Sequence, residues 1–209
     1  MYWLPKLHKN PYGSRFIAAS SKCTTKPSSR LLTTCLSAII KHYKEYCEGI
    51  FWNTGVNCFW IVSNSLEVIS MLQRMNATRE AKSFDSYDFS TLYTSIPHDS
   101  LKHSLKMLIS EAYKVRGAYY LSVNGKGVCT WSNNKGSCVD VSESLLMEMV
   151  EYLVDNIYIH VGNKVFRQCT GTPMGTDCAP LLANLYLFYY EYCYMKQLLK
   201  VNVGKARIF

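Results

Sequence analysis

After Pro27, apolar residues return every three or four positions, at Leu31, Leu32, Cys35, Leu36, Ile39, Ile40 and Tyr43, until Gly49. That spacing places them on one face of a long helix, opened by a proline whose missing N–H costs nothing in a first turn. Such a stripe has to be buried, so the rest of the chain must supply a surface for it. Four more stretches repeat the period. Leu66, Ile69, Leu72 and Met75 follow Asn64 with Glu67 three residues on, which is a capping-box pattern. Leu101, Leu105, Leu108, Ile109 and Ala112 run between Pro97 and Gly117; Leu145, Leu146, Met149, Val150, Leu153 and Val154 form the next, and residues 179–200 the longest.

Turn signals fall between these helices. Asn124-Gly125-Lys126-Gly127 separates residues 119–123 from 128–131, and Gly162-Asn163 separates 157–161 from 164–167, so both read as hairpins. Residues 82–88, with Phe84 and Tyr87 among polar neighbours, fit a strand better than a helix, and residues 1–26 read as a basic loop feeding a strand or two. The expected class is α+β, with helices packed on a small antiparallel sheet. No repeat or low-complexity linker divides residues 1–209, which are treated as one unit.

The chain is 48% apolar over 209 residues, enough for a real core. Its 23 Lys and Arg against 15 Asp and Glu leave a net charge of +8, which favours a polyanionic partner, although many cationic surfaces have none. Nine cysteines, at positions 23, 35, 47, 58, 129, 138, 169, 178 and 193, form no C-x-x-C pair and have no close histidine, which argues against zinc. The odd number points to reduced thiols packed as small hydrophobes, hence to an intracellular protein that is not secreted. The longest apolar run, residues 179–190, contains Asn184 and is closed by Glu191, too short for a bilayer, so no membrane association is expected.

Two segments carry chemistry. Residues 83–97, SFDSYDFSTLYTSIP, deliver Asp88 to the end of the expected strand, with Tyr93 five residues on. Phosphoryl transfer to a growing strand needs carboxylates that hold two metal ions about 4 Å apart. Asp88 is placed to hold them, and the Phe89 carbonyl is a hard oxygen ligand for the second; the competing reading of Asp88 is a turn cap. Asp85 would face the opposite side of a strand. Tyr93 could sit under a nucleotide sugar and reject a 2′-hydroxyl by bulk, or be a core ring. In the second segment Gly171 and Gly175 permit close backbone approach, and Gln168 can hydrogen-bond a base or sugar edge; the alternative is a plain connector before the helix. Arg15 could grip triphosphate oxygens, with Lys6, Lys9 and Lys22 as nucleic-acid contacts or as a solvated cationic loop.

In combination, LPKLHK and SRFIAASSK near the N-terminus, SYDFSTLYTSIPH around Asp88, and FRQCTGTPMGTDCAPLLANL resemble the reverse transcriptase domain of Penelope-like retroelements, and the likeness spans nearly the whole chain. The resemblance implies a right-hand polymerase, fingers and palm, acting as an RNA-directed DNA polymerase with two magnesium ions, dNTPs, an RNA template and a DNA primer, in the nucleus. Residues 1–26 would be a basic fingers segment, 82–97 the first catalytic motif, and 166–200 the glycine loop plus a palm helix. Arg15 would contact the triphosphate, Asp88 be the first catalytic aspartate, Tyr93 the sugar gate, and Gln168 with Gly171 lie at the templating pair. The family's next element is an aromatic-x-Asp-Asp hairpin, and no Asp-Asp pair occurs in these residues. The expectation is therefore a truncated copy without a thumb, inactive in isolation; the alternative is a non-catalytic nucleic-acid-binding remnant.

Overall fold

A computed structural model describes residues 2–7, 10–18, 23–78, 83, 85–89, 91–172 and 175–201. Their elements are β1 (Tyr2–Lys6), β2 (Gly13–Ile17), α1 (Lys26–Thr54), α2 (Ser65–Thr78), α3 (Leu92–Ser95), α4 (His98–Arg116), β3 (Tyr120–Val123), β4 (Cys129–Ser132), β5 (Val139–Ser142), α5 (Glu143–Asp155), β6 (Tyr158–Val161), β7 (Lys164–Arg167) and α6 (Ala179–Val201). The class is α+β, but no single sheet underlies the helices. There are three small antiparallel ones among the described residues: β1–β2, a three-stranded sheet ordered β4-β3-β5, and β6–β7.

Helix α1 is the centre of the packing. Pro27 lies in its first turn as expected, yet the helix passes straight through Gly49 and ends at Gly55, whose backbone is left-handed (φ +73°) and whose N–H donates to the Phe51 carbonyl at 2.7 Å. An interior glycine costs a helix only about 1 kcal/mol. Ile50 beyond it packs on the core, and Val56 and Cys58 are buried, which offsets that cost. The buried stripe is Ser29, Leu32, Cys35, Leu36, Ile39, His42, Tyr43 and Cys47. It packs on α4, α5 and α6 and on β3 and β4.

Aromatic rings lock α1 to α6. Tyr43 meets Phe188 and Tyr192 edge-on at centroid separations of 5.2 and 5.4 Å, Phe188 stacks on Tyr192 at 5.3 Å, and Phe59 tilts against Phe188 at 5.4 Å. Buried phenols need partners, and these have them. Tyr43 donates to the Leu108 carbonyl at 2.9 Å, Tyr113 to the Val141 carbonyl at 2.8 Å, and Tyr192 to Glu111 Oε1 at 3.2 Å, with Lys196 Nζ on the same oxygen at 2.9 Å.

Both hairpins signalled by Asn-Gly and Gly-Asn form, as β3–β4 and β6–β7. Strand β5 follows the turn-rich residues 132–137, SNNKGS, and pairs with β3, Leu121 opposite Val141. Its last residue, Ser142, caps α5 by accepting from the Leu145 N–H at 3.2 Å. At α2, Asn64 Oδ1 accepts from the N–H groups of Leu66 and Glu67, while the Glu67 carboxylate reaches the Ser63 N–H, one residue earlier than in the usual box.

The expected strand over residues 82–88 does not form. Residues 83 and 85–89 are exposed and in neither helix nor strand; 82 and 84 lie outside the described residues. The physical reason is the lack of a neighbour: a strand exists only where an adjacent one accepts its N–H and carbonyl groups, and none among the described residues pairs with this stretch. No helix among the described residues is long and apolar enough to cross a membrane. All nine cysteines are free thiols, and Cys35, Cys47, Cys58 and Cys178 are buried.

Burial holds the phenols of Tyr43, Tyr113 and Tyr192 above their ordinary 10.0 and pushes the Cys47 thiol up from 9.0 to about 12. The unfolded chain releases these protons at the ordinary values and the folded chain retains them. Stability is therefore flat below that range, then falls by about 1.4 kcal/mol per pH unit for each group as pH climbs. A urea-unfolding series from pH 8 to about 11 should show the midpoint dropping steeply above about pH 9. An unchanged midpoint would contradict the burial of these groups.

Candidate active site

Three segments far apart in the chain meet at the glycine loop. The Gly171 N–H donates to the Ile96 carbonyl and the Thr172 N–H to the Tyr93 carbonyl, both at 2.7 Å. Thr170 bridges Pro97 through the backbone, and the His98 ring Nε2–H donates to the Gly171 carbonyl at 2.8 Å. Gly171 is buried with φ +81°, and a Cβ there would lie 2.3 Å from the Tyr93 carbonyl oxygen and 2.7 Å from Thr94 Cα. Only glycine fits. Gly175, at φ +123°, meets the residue after β2 in the same way: a Cβ would lie 2.0 Å from the Ala18 carbonyl oxygen. The close approach foreseen for both glycines is thus made, and its partner is the chain's own backbone.

This seam anchors the segment that carries Asp88. Tyr93, on the one-turn α3, is half-buried, packs on the core and is held through its carbonyl. Asp88 lies five residues upstream, so it is no farther than about 17 Å from that anchor. It is exposed, and no described residue makes a hydrogen bond or ion pair with it. Six other acids are engaged by cations: Asp177 by Lys26 and Arg30, Asp155 and Asp99 by Lys102, Glu45 by Arg116, Glu67 by Lys44 and Glu111 by Lys196. Asp85 is also exposed, and without a strand the alternation of faces no longer sets it apart from Asp88. The Phe89 side chain lines an open groove of about 260 Å³ with Thr91, Leu92, Ser95, Ile96, Tyr186 and Leu187, between α3 and α6; Tyr93 is not among its walls.

The remaining expected residues are less closely gathered. Gln168 hydrogen-bonds within its own loop, its N–H to the Ile157 carbonyl at 2.9 Å and its Nε2 to the Thr170 carbonyl at 2.8 Å, so that donor is committed. Lys6 ends β1. Arg15 pairs through its backbone with Leu4 in the β1–β2 hairpin; its side chain, and Lys9, Lys22, Pro173 and Met174 entirely, lie outside the described residues. Two residues that bind the loop were not anticipated. His98 clamps Gly171, and Asp177 accepts from Lys26 Nζ at 2.7 Å with Arg30 Nε at 3.7 Å, tying the loop to the first turn of α1. Nothing in sequence spacing relates residue 26 to residue 177.

As a metal site the arrangement is partial. Magnesium is held by one or two carboxylates plus substrate phosphates, and Asp88 with the Phe89 carbonyl supplies one charged and one neutral oxygen with no cation competing. Among the described residues no group of three or more His, Cys, Asp or Glu side chains could hold an ion unaided.

Compared with protein-family models, with curated proteins and with solved structures, the chain gives no match. The seam can be tested directly. Gly171→Ala combines left-handed backbone strain with overlap against the α3 backbone and should cost roughly 2–5 kcal/mol in denaturant unfolding. A loss under about 1 kcal/mol would mean that the loop is not pressed against α3.

Proposed function

We propose that the chain is the fingers and palm portion of a reverse transcriptase domain that transfers nucleotides from dNTPs to a primer 3′ end on an RNA template. One observation carries the reading: the two motifs richest in chemistry, around Asp88 and around Gly171, are stitched backbone to backbone, and the basic N-terminal hairpin reaches the same loop at Gly175. Unrelated connectors would have no reason to share a seam that admits only glycine.

In this reading each side chain has a task. Asp88, free of any cationic partner among the described residues, offers its charge to magnesium, with the Phe89 carbonyl beside it. Two bound magnesium ions would neutralise charge on the attacking and leaving oxygens. Tyr93, fixed through its carbonyl and against the core, would be the ring that excludes a 2′-hydroxyl. Arg15 grips triphosphate oxygens, Gln168 and Gly171 border the templating pair, and Lys6, Lys9 and Lys22 follow the nucleic-acid backbone. The +8 net charge raises the local concentration of polyanions.

Since no Asp-Asp pair occurs in the 209 residues, primer extension by them alone should be negligible, and the first assay is binding. A labelled primer–template should bind with affinity that falls linearly on a log–log plot against salt. Magnesium-dependent dNTP binding should weaken at least about tenfold, or about 1.4 kcal/mol, in Asp88→Ala while nucleic-acid binding persists. In a polypeptide that also supplies an Asp-Asp hairpin and thumb, extension should appear. Asp88→Ala should abolish that extension, and Tyr93→Ala should retain it with more ribonucleotide incorporated. Extension surviving Asp88→Ala would refute the site, and salt-dependent binding without any extension in the longer polypeptide would leave the non-catalytic reading in its place.

A further inference from the structure

We propose that the groove between α1 and β4 binds a small phosphate monoester, its phosphate held by Lys41, Arg116 and His42 and its organic body by the hydroxyls of α1. The groove has a volume of about 540 Å³, within the usual range for a small-molecule site. It shares no residue with the glycine seam or with Asp88 and Phe89, so the proposal does not rest on the polymerase reading.

Helical period builds one wall. Thr34, Ser37, Lys41 and Glu45 recur every three or four residues, a polar stripe about 16 Å long beside the buried one. Thr130 and Trp131 of β4 form the facing wall. Lys41 is exposed and makes no ion pair with a described residue. Glu45 is the one acid among the described walls, and Arg116 neutralises it, so the groove keeps a net positive charge.

Arg116 is held in place before any ligand arrives. Its Nε donates to His42 Nδ1 at 2.8 Å, its Nη2 to Glu45, and its guanidinium carbon lies 6.0 Å from the centre of the Trp131 ring. An arginine nitrogen only donates, so His42 accepts on Nδ1, and the neutral ring carries its proton on Nε2. That ring lines the groove and is 3% exposed, and its Nε2 has no partner among the described residues. A buried donor left unpaired is costly, and an anionic oxygen in the groove relieves the cost. Donors on three separate side chains suit the three terminal oxygens of a phosphate monoester better than the two of a carboxylate.

The hydroxyls select the rest of the ligand. Thr33, Thr34 and Ser37 donate to the carbonyls of Ser29, Arg30 and Thr33 at 2.7, 3.2 and 2.8 Å, which leaves them as acceptors. A bare phosphate dianion has nothing to give them. Sugar hydroxyls or a base amine do, and Ala38 with Trp131 adds apolar surface for a ring.

The test is calorimetric titration of the 209-residue chain without magnesium, which removes any metal-dependent nucleotide binding. Adenosine 5′-monophosphate or ribose 5-phosphate should bind saturably, at least about tenfold more tightly than inorganic phosphate or adenosine, and should shift the Trp131 indole N–H resonance. Lys41→Ala, at an exposed position, should weaken binding at least about tenfold with the melting temperature unchanged. Asp88→Ala should bind as the parent does, and so should Lys106→Ala, which removes an exposed lysine outside the groove. Absence of saturable binding, an equal loss in Lys106→Ala, inorganic phosphate binding as tightly as both esters, or an unmoved Trp131 resonance would overturn the proposal. So would occupation of the groove by a single-stranded oligoribonucleotide with a 5′-hydroxyl end where neither monoester binds.

Discussion

One face of one helix organises this molecule. The stripe from Leu32 to Cys47 on α1 meets α4, α5 and α6 and the strands β3 and β4, and α4 packs in turn on α5 and α6, so the helices close around it as a common wall. Each large apolar side chain buried there contributes about 1.5–3 kcal/mol, and the rings of Tyr43, Phe188 and Tyr192 add oriented contacts at little cost, because both phenols are hydrogen-bonded. The stripe tolerates one polar intruder. His42 accepts from Arg116 Nε on Nδ1 at 2.8 Å, and burial together with that neighbouring guanidinium keeps its pKa below the ordinary 6.5, so it stays neutral inside the core.

A frame of this kind leaves the connecting segments to be fixed by finer means, and the glycine loop shows how. Buried N–H groups must be paired, and Gly171 and Thr172 find their partners on the one-turn α3 only because no Cβ stands between the two backbones. That contact holds Tyr93 half-buried, and Asp88, five residues upstream, is exposed. The ion pairs of Asp177 with Lys26 and Arg30 brace the same loop against the beginning of α1, so the frame and the loop are mechanically one. An acid committed in this way cannot serve a metal. Asp88 can.

How much was legible varies with the range of the interaction involved. The helices over residues 98–116, 143–155 and 179–201 follow from apolar spacing because a helix closes its hydrogen bonds within four residues, and hairpins follow from Asn-Gly and Gly-Asn because their turns are equally local. Residues 82–88 looked like a strand by composition, yet a strand is completed by a partner and this one has none among the described residues. Strand β5 is the contrasting case, a short segment that does have a partner, β3. Gly49 looked like a terminus because glycine is a poor helix residue, but the burial beyond it outweighs that local penalty.

By itself, then, the order of residues determined the α+β class, most helix positions, the free state of the thiols and the identity of the glycines that could make close backbone approaches. It could not determine what those glycines approach or which acids are neutralised. Those outcomes depend on groups separated by tens of residues arriving at the same place, and only tertiary packing brings them there, because hydrogen bonds and ion pairs act over a few ångströms of space and are indifferent to distance along the chain.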